Sequence, residues 1–312
     1  MLTSHESDVP AQAQSADELS RELEVRGIVR LPQIVDTETL RDMQASFAAR
    51  LDHVRWNNQD GYERTERFRH MVQDVLTLSQ GFVDVALHPL VKDVLQRYLG
   101  DAYELVEAKG WKSLRTTRGF HGWHGDAWYD QDKVRDQVPR EVKLGFYLSD
   151  VHSGAFQYIS GTHGKQAPRP YFAKHEYRDL SLDQIAEMRG PMGTAFLFDT
   201  SGIHRQATPI LESRQAFFLN YHDPSIPLQK EDIDYYRYHP LLLNAALLGN
   251  LSADDYRILG FGNKANYLPA YRRISSHAGF QAAIASIYGA KLAIEEFGQR
   301  VAGKLRRLIR IR

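Results

Sequence analysis

The chain of 312 residues contains no cysteine. That absence excludes disulfides, thiolate metal sites and cysteine nucleophiles, and it removes any need for an oxidising compartment. Net charge is missing as well. Thirty-nine Lys and Arg balance 39 Asp and Glu, so no global field draws the protein to nucleic acid or to a membrane surface. Long apolar runs are absent too. The most apolar stretch, Leu241 to Leu248, is interrupted by Asn244 and is far too short to span a bilayer. Residues 1–15 are polar and lack the basic segment and apolar stretch of a signal peptide, so a soluble, cytoplasmic protein is expected. With 43% hydrophobic and 25% charged residues, the remaining composition is that of an ordinary globular protein with a sizeable core.

Helical periodicity dominates the first hundred residues. Residues 1–14 read as disordered. Ser15 and Glu18 have the spacing of a capping box ahead of a helix over about 16–25, and Gly27 to Pro32 reads as a short strand. Asp36 is placed to cap a second helix reaching about Asp52, with Leu40, Met43, Phe47 and Leu51 on one face. Residues 56–70 read as a loop, and helical patterns follow from about Met71 to Leu99, broken near His88-Pro89. After Gly100 short β-rich runs at 103–108, 111–117, 142–149, 155–160, 193–199 and 214–221 alternate with turn residues. No regular strand–helix alternation links them, which argues against a parallel Rossmann-type sheet and for an antiparallel sandwich or barrel flanked by helices. From Pro227 the pattern returns to helix and loop, ending in a long helical candidate from about Ala278.

The chemistry concentrates in His124-Gly125-Asp126, His204 and Arg214. In an extended segment residues i and i+2 project from one side, so His124 and Asp126 can reach one ion, and His204 can join them from another strand. Two imidazoles and one carboxylate are the facial ligand set of non-heme Fe(II) oxygenases. The His-x-acid spacing alone decides little, because 13 His and 39 acidic residues produce roughly one or two such matches by chance. Context carries more weight. Phe196 to His204 ends an apolar strand with a polar turn, and Arg214 opens the apolar strand 214–221, sharing a face with Ala216, Phe218 and Asn220. A buried guanidinium there needs an anion: a carboxylate ligand, or a structural carboxylate such as Glu212 or Asp199.

In order along the chain these segments resemble the phytanoyl-CoA dioxygenase family of Fe(II)/2-oxoglutarate oxygenases. The resemblance covers about residues 20–222. It is carried by Glu24-Val-Arg-Gly-Ile-Val-Arg-Leu-Pro32, His124-Gly-Asp126, Val142-Lys-Leu-Gly-Phe-Tyr-Leu-Ser-Asp150, Ser153-Gly-Ala-Phe-Gln-Tyr-Ile-Ser-Gly-Thr-His163, His204 and Arg214. It implies a mainly β double-stranded β-helix, or jelly roll, with flanking helices. The expected layout is a disordered stretch at 1–14, the oxygenase domain at 15–227, and a helical extension at 228–312 packed on the same domain. Carried over, His124, Asp126 and His204 would ligate iron and Arg214 would pair with the distal carboxylate of 2-oxoglutarate. Lys112 would meet its other carboxylate, Phe146 would wall the co-substrate, and Gly161-Thr-His163 would shape a turn. Arg118, His121, Trp128, Tyr129 and Asp130 flank the metal motif and are candidates to contact substrate, each with an ordinary loop role as the alternative.

The implied reaction uses Fe(II), 2-oxoglutarate and O2 to hydroxylate an unactivated C–H of a small polar molecule, releasing succinate and CO2. Asp126 disfavours a halogenase, whose members carry a small residue there. Desaturation, epimerisation and cyclisation share the ligand set. A catalytically silent jelly-roll binding protein and a zinc hydrolase remain as readings from other classes; Arg214 argues against both. The basic amphipathic tail from Lys304 to Arg312 is expected to pack its apolar stripe on the domain rather than dock on a membrane.

Overall fold

The computed structural model describes residues 14–52, 68–119, 121–127, 129–134, 137–165, 167–169, 171–177, 182–227 and 241–262, and six single positions between Ile287 and Val301. Its compact units are Met1–Asn263 and Lys264–Arg312.

The first unit opens with α1 (Ala16–Arg26). Ser15 and Glu18 close the capping box reciprocally at its start. The helix ends at Gly27, whose φ of 74° is a left-handed cap that glycine adopts without strain. Strand β1 (Ile28–Arg30) follows, then α2 (Thr37–Leu51), capped by the Asp36 carboxylate on the Glu38 and Thr39 amides. The run from Met71 departs from expectation. Arg69–Val72 forms β2, paired with the strand β3 (Glu104–Ser113), and helix resumes only at α3 (Gln80–Ala86) and α4 (Pro89–Leu99). Tertiary pairing to Trp111 and Gly110 overrides the helical spacing of this short apolar segment. His88, just before Pro89, caps α4 through its ring nitrogen on the Leu90 amide.

Six more strands complete the β core: β4 (Glu141–Tyr147), β5 (Val151–Ile159), β6 (Ile185–Gly190), β7 (Ala195–Asp199), β8 (His204–Gln206) and β9 (Arg214–His222). They form a six-stranded antiparallel sheet in the order β1-β7-β4-β9-β3-β2 and a three-stranded sheet in the order β6-β5-β8. The two β runs expected at 103–108 and 111–117 are one continuous strand, bulged between Leu105 and Glu107.

Side-chain alternation gives the large sheet two faces with different jobs. Val142, Leu144, Phe146 and Leu148, with Phe217, Leu219 and Tyr221, pack under α1–α4 in the main core. The contact is close: a side chain on Gly110 would strike the ring of Phe47 from α2. The opposite face turns Phe196, Phe198, Tyr147 and Ala216 toward Phe156, Tyr158, Ala186 and Met188 of the small sheet. The sandwich interior therefore lies between the two sheets, and the helices cover one side only. This is the jelly-roll arrangement. Residues 241–262 belong to the same unit. The final helix of this stretch, α5 (Ala253–Ile258), is tied down by Lys92–Asp255 and by Arg257 on the Tyr103 carbonyl, and Leu248, Ile258 and Leu259 join the core. The division between the two compact units falls after Asn263. Within the expected C-terminal helix, the six described positions are helical.

Candidate metal and co-substrate site

His124 and His204 meet directly. Each donates its backbone N–H to the other's carbonyl, at 3.0 and 2.8 Å, which joins the metal motif to β8 as an isolated antiparallel bridge. Gly125 and Asp126 are fixed in the extended conformation by their amides, bonded to the carbonyls of Arg169 and Thr200. Behind the motif, Trp123 packs with Ile159, Phe172 and Ile203. The alternation inferred from the sequence therefore holds, and His124 and Asp126 project to one side.

Potential ligand atoms of His124, Asp126 and His204 all lie within 4.8 Å of one another. The Nε2 of His124 is 3.7 Å from Asp126 Oδ1, and the Nε2 of His204 is 3.6 Å from Asp126 Oδ2. Both imidazoles are oriented in the same way. His124 Nδ1 lies 2.8 Å from the Gly122 carbonyl and His204 Nδ1 lies 2.8 Å from the Gly202 carbonyl. A carbonyl can only accept, so each Nδ1 carries the proton and each Nε2 lone pair is left for a metal. Burial, with the neighbouring His204, lowers the His124 pKa to about 4, so this ring is neutral and ready to ligate at pH 7. Burial opposes ionisation of Asp126, yet Lys143 and the two imidazoles hold its carboxyl well below the ordinary range. The donor set is thus one carboxylate and two imidazoles whose Nε2 atoms face it, which suits Fe(II).

An aromatic wall surrounds His204. Phe156 and Phe198 lie at ring distances of 5.5 and 5.2 Å, and Tyr158 stacks nearly parallel to it. Glycine is required at 202, because any side chain there would collide with the Tyr158 hydroxyl.

Arg214 begins β9 and is only 4% exposed. Among the described residues no carboxylate pairs with it: Asp199 instead accepts from Tyr98 and Ser201, and Glu212 is exposed. Its one hydrogen bond runs from Nη1 to the Tyr147 hydroxyl at 3.4 Å, and Nε has no partner. Burial accordingly lowers its pKa. Ser113 stands directly across from Arg214 on β3 and donates to Gln206 Oε1, while Gln206 Nε2 is buried without a partner. A buried cation beside an unpaired amide donor is a cradle for a carboxylate.

The structure sorts the remaining candidates. His121 lies against His124, with ring centroids 4.2 Å apart, and burial drives its pKa well below the ordinary value. Tyr129 is buried, and the Glu141 and Asp199 carboxylates add to burial in raising its pKa. Asp130 caps the turn 131–134 and pairs with Lys133 at 2.9 Å, and Arg118 is exposed. Trp128 lies outside the described residues.

Phe146 and Lys112 are corrected. Phe146 stacks on Phe217 at 5.0 Å in the helix-covered core, on the face away from the site. Lys112 shares the face of Gly110, whereas Lys109, Trp111 and Ser113 occupy the site face of β3. The side chains near the triad and Arg214 are Phe156, Phe198, Lys143, Tyr147, Ser113 and Gln206. Alternation offered the signal: Val142, Leu144, Phe146 and Leu148 are uniformly apolar and fit a helix-covered face, which leaves Lys143, Gly145 and Tyr147 for the site.

Comparison with known proteins follows the same lines. No curated protein matches the chain. Among solved structures, HygX from Streptomyces hygroscopicus, crystallised with nickel, 2-oxoglutarate and hygromycin B, is 17% identical. Its alignment covers 68% of this chain and 89% of HygX, with a TM-score of 0.49. SnoN, a non-heme α-ketoglutarate-dependent epimerase of nogalamycin biosynthesis, is 15% identical over 72% of this chain and 87% of its own, also at 0.49. ThoJ, a non-heme monooxygenase, is 14% identical over 67% and 79%, with a TM-score of 0.50. The model of the phytanoyl-CoA dioxygenase family matches residues 23–208, from α1 through His204, and the chain belongs to that family.

Proposed function

We propose that the protein is an Fe(II)/2-oxoglutarate-dependent hydroxylase acting on an unactivated C–H of a small polar molecule. The observation that carries this reading is the pairing of a two-histidine, one-carboxylate triad with a buried arginine that no carboxylate pairs with among the described residues. A structural metal site has no use for the second feature. His124, Asp126 and His204 would hold the iron, and Arg214 would bind the distal carboxylate of 2-oxoglutarate. Bound Fe(II), with 2-oxoglutarate and O2, supplies the oxidising power for C–H cleavage, with succinate and CO2 as by-products.

The chain's own residues bind, orient and exclude. The Gly122 and Gly202 carbonyls lock both imidazole tautomers. The Arg214 fork, flanked by the hydroxyls of Tyr147 and Ser113 and the amide of Gln206, fixes the co-substrate's register. Phe156, Phe198 and Phe218 form an apolar shell that keeps water from the oxidising centre.

The test is an anaerobic titration of metal-free protein with Fe(II) and then 2-oxoglutarate, followed through the visible metal-to-ligand charge-transfer band. The band is expected in wild type, absent in His124→Ala and weakened in Arg214→Ala. A well-folded wild type without the band would remove the oxygenase reading and favour a silent binding protein. Mass analysis of products from substrate screening then separates hydroxylation from desaturation, epimerisation and cyclisation.

A further inference from the structure

A two-histidine, one-carboxylate site works only if the carboxylate gives the metal a single oxygen. Three protein donors leave three of six octahedral positions open; a bidentate carboxylate would take a fourth. Carboxylates bind in either mode, so something must hold the second oxygen. In this chain that partner is visible. Lys143 Nζ lies 2.6 Å from Asp126 Oδ2, and both side chains are largely buried.

Lys143 is built into the sheet for this contact. It lies on the site face of β4, paired across the ladder with Asn220 of β9 and Phe198 of β7. Besides Asp126, the Glu107 and Glu141 carboxylates also interact electrostatically with its ammonium. Glu107 is in turn held by Lys109 at 2.6 Å on β3. The charges alternate Lys109, Glu107, Lys143, Asp126, with the last member at the metal site. A lysine placed for bulk solvent would not be surrounded by three buried carboxylates, and removing it would leave Asp126 Oδ2 free to turn toward a metal.

We infer that Lys143 is a positioning residue that holds Asp126 in one-oxygen ligation and thereby keeps a coordination position open for 2-oxoglutarate. This rests on the oxygenase reading above. It predicts a separation of two affinities that a merely structural lysine would not produce. Replacing Lys143 should leave metal binding in place and weaken the chelating co-substrate.

The experiment uses the full chain as Lys143→Met and Lys143→Arg, loaded anaerobically with Co(II) and with Fe(II). In Lys143→Met, 2-oxoglutarate binding to the Fe(II) protein should weaken by about 10–100-fold, the range typical of lost outer-shell partners. Co(II) should bind within threefold of wild type, and its d–d spectrum should change before any 2-oxoglutarate is added, reporting the altered carboxylate. Lys143→Arg, which keeps a cationic donor, should recover most of the co-substrate affinity. Unchanged 2-oxoglutarate affinity and Co(II) spectrum in Lys143→Met would overturn the inference, as would a collapse of metal affinity. If Lys143→Met does not fold, Lys143→Gln is read by the same criteria. Absence of the charge-transfer band in wild type would instead remove the oxygenase reading itself, so the two failures are distinguishable.

Discussion

Removing the guanidinium of Arg214 should have opposite consequences for the cofactor-free and co-substrate-bound protein. The side chain is buried, and among the described residues its hydrogen bond is a long one to the Tyr147 hydroxyl and no carboxylate neutralises it. In the cofactor-free protein it is therefore a desolvated charge whose replacement by a hydrophobe of similar reach is neutral or stabilising. Arg214→Leu is expected to keep or raise the unfolding midpoint in the absence of ligand. With 2-oxoglutarate bound, the same charge becomes half of a buried ion pair. Truncating one member of such a pair costs about 2–5 kcal/mol. That corresponds to roughly a 30- to 4,000-fold loss of affinity. Arg214→Lys keeps the charge but loses the planar fork, and should fall between the two. The assay is anaerobic calorimetric titration of the Fe(II) protein with 2-oxoglutarate, alongside urea denaturation of the metal-free form. A variant that loses stability without ligand yet binds 2-oxoglutarate within threefold of wild type would refute the argument and make Arg214 a structural residue.

The other expectations are simpler. The folded His124 titrates near 4 against an ordinary 6.5, so between those values the unfolded chain takes up a proton that the folded one does not. Stability of the metal-free protein should therefore fall as pH drops from about 6.5 to 4, by about 3 kcal/mol from this group; urea midpoints that stay flat or rise across that window would contradict the assignment. Phe146→Ala should cost about 3–5 kcal/mol of stability through the cavity left beside Phe217, while 2-oxoglutarate affinity of the folded variant stays unchanged. A lost affinity with intact stability would restore Phe146 to the site. Asn220 is fully buried and neither of its side-chain amide atoms has a partner, so Asn220→Leu should stabilise the metal-free protein by about 1–3 kcal/mol in chemical denaturation. Destabilisation would show that the amide holds an internal water.

Both helix caps, the positions of most strands and the His124/Asp126 pair were legible because each is written in nearby residues. Ser15 with Glu18 and Asp36 before Thr37 act within one turn, and His124 with Asp126 needs only the two-residue repeat of an extended segment. The misplacements at Lys112 and Phe146 have one shared cause. Alternation divides a strand into two faces but does not say which face the helices cover, and an error of one residue reverses every assignment on that strand. On β9 the face was correctly read, because Arg214 cannot belong to an apolar helix-covered layer. On β3 and β4 both faces are largely buried, and the deciding contacts lie far away in sequence, with Phe47 against Gly110 and Phe217 against Phe146. Strand β2 was missed for a similar reason: among the described residues its ladder partner is β3, more than thirty residues on.

The two faces also explain why the site is where it is. One side of the large sheet is sealed by four helices and is free to be apolar throughout. The other must accommodate a charged ligand set, so it carries Glu107, Lys109, Lys143 and Arg214 interleaved with the aromatic residues that exclude water. Three of those four charges are matched within the protein: Lys109 by Glu107, and Lys143 by Asp126. Arg214 has no such match among the described residues, and a buried guanidinium of this kind suits an anionic ligand. The electrostatic balance of the barrel interior, rather than any single motif, is therefore the strongest argument that an anionic ligand belongs beside Arg214.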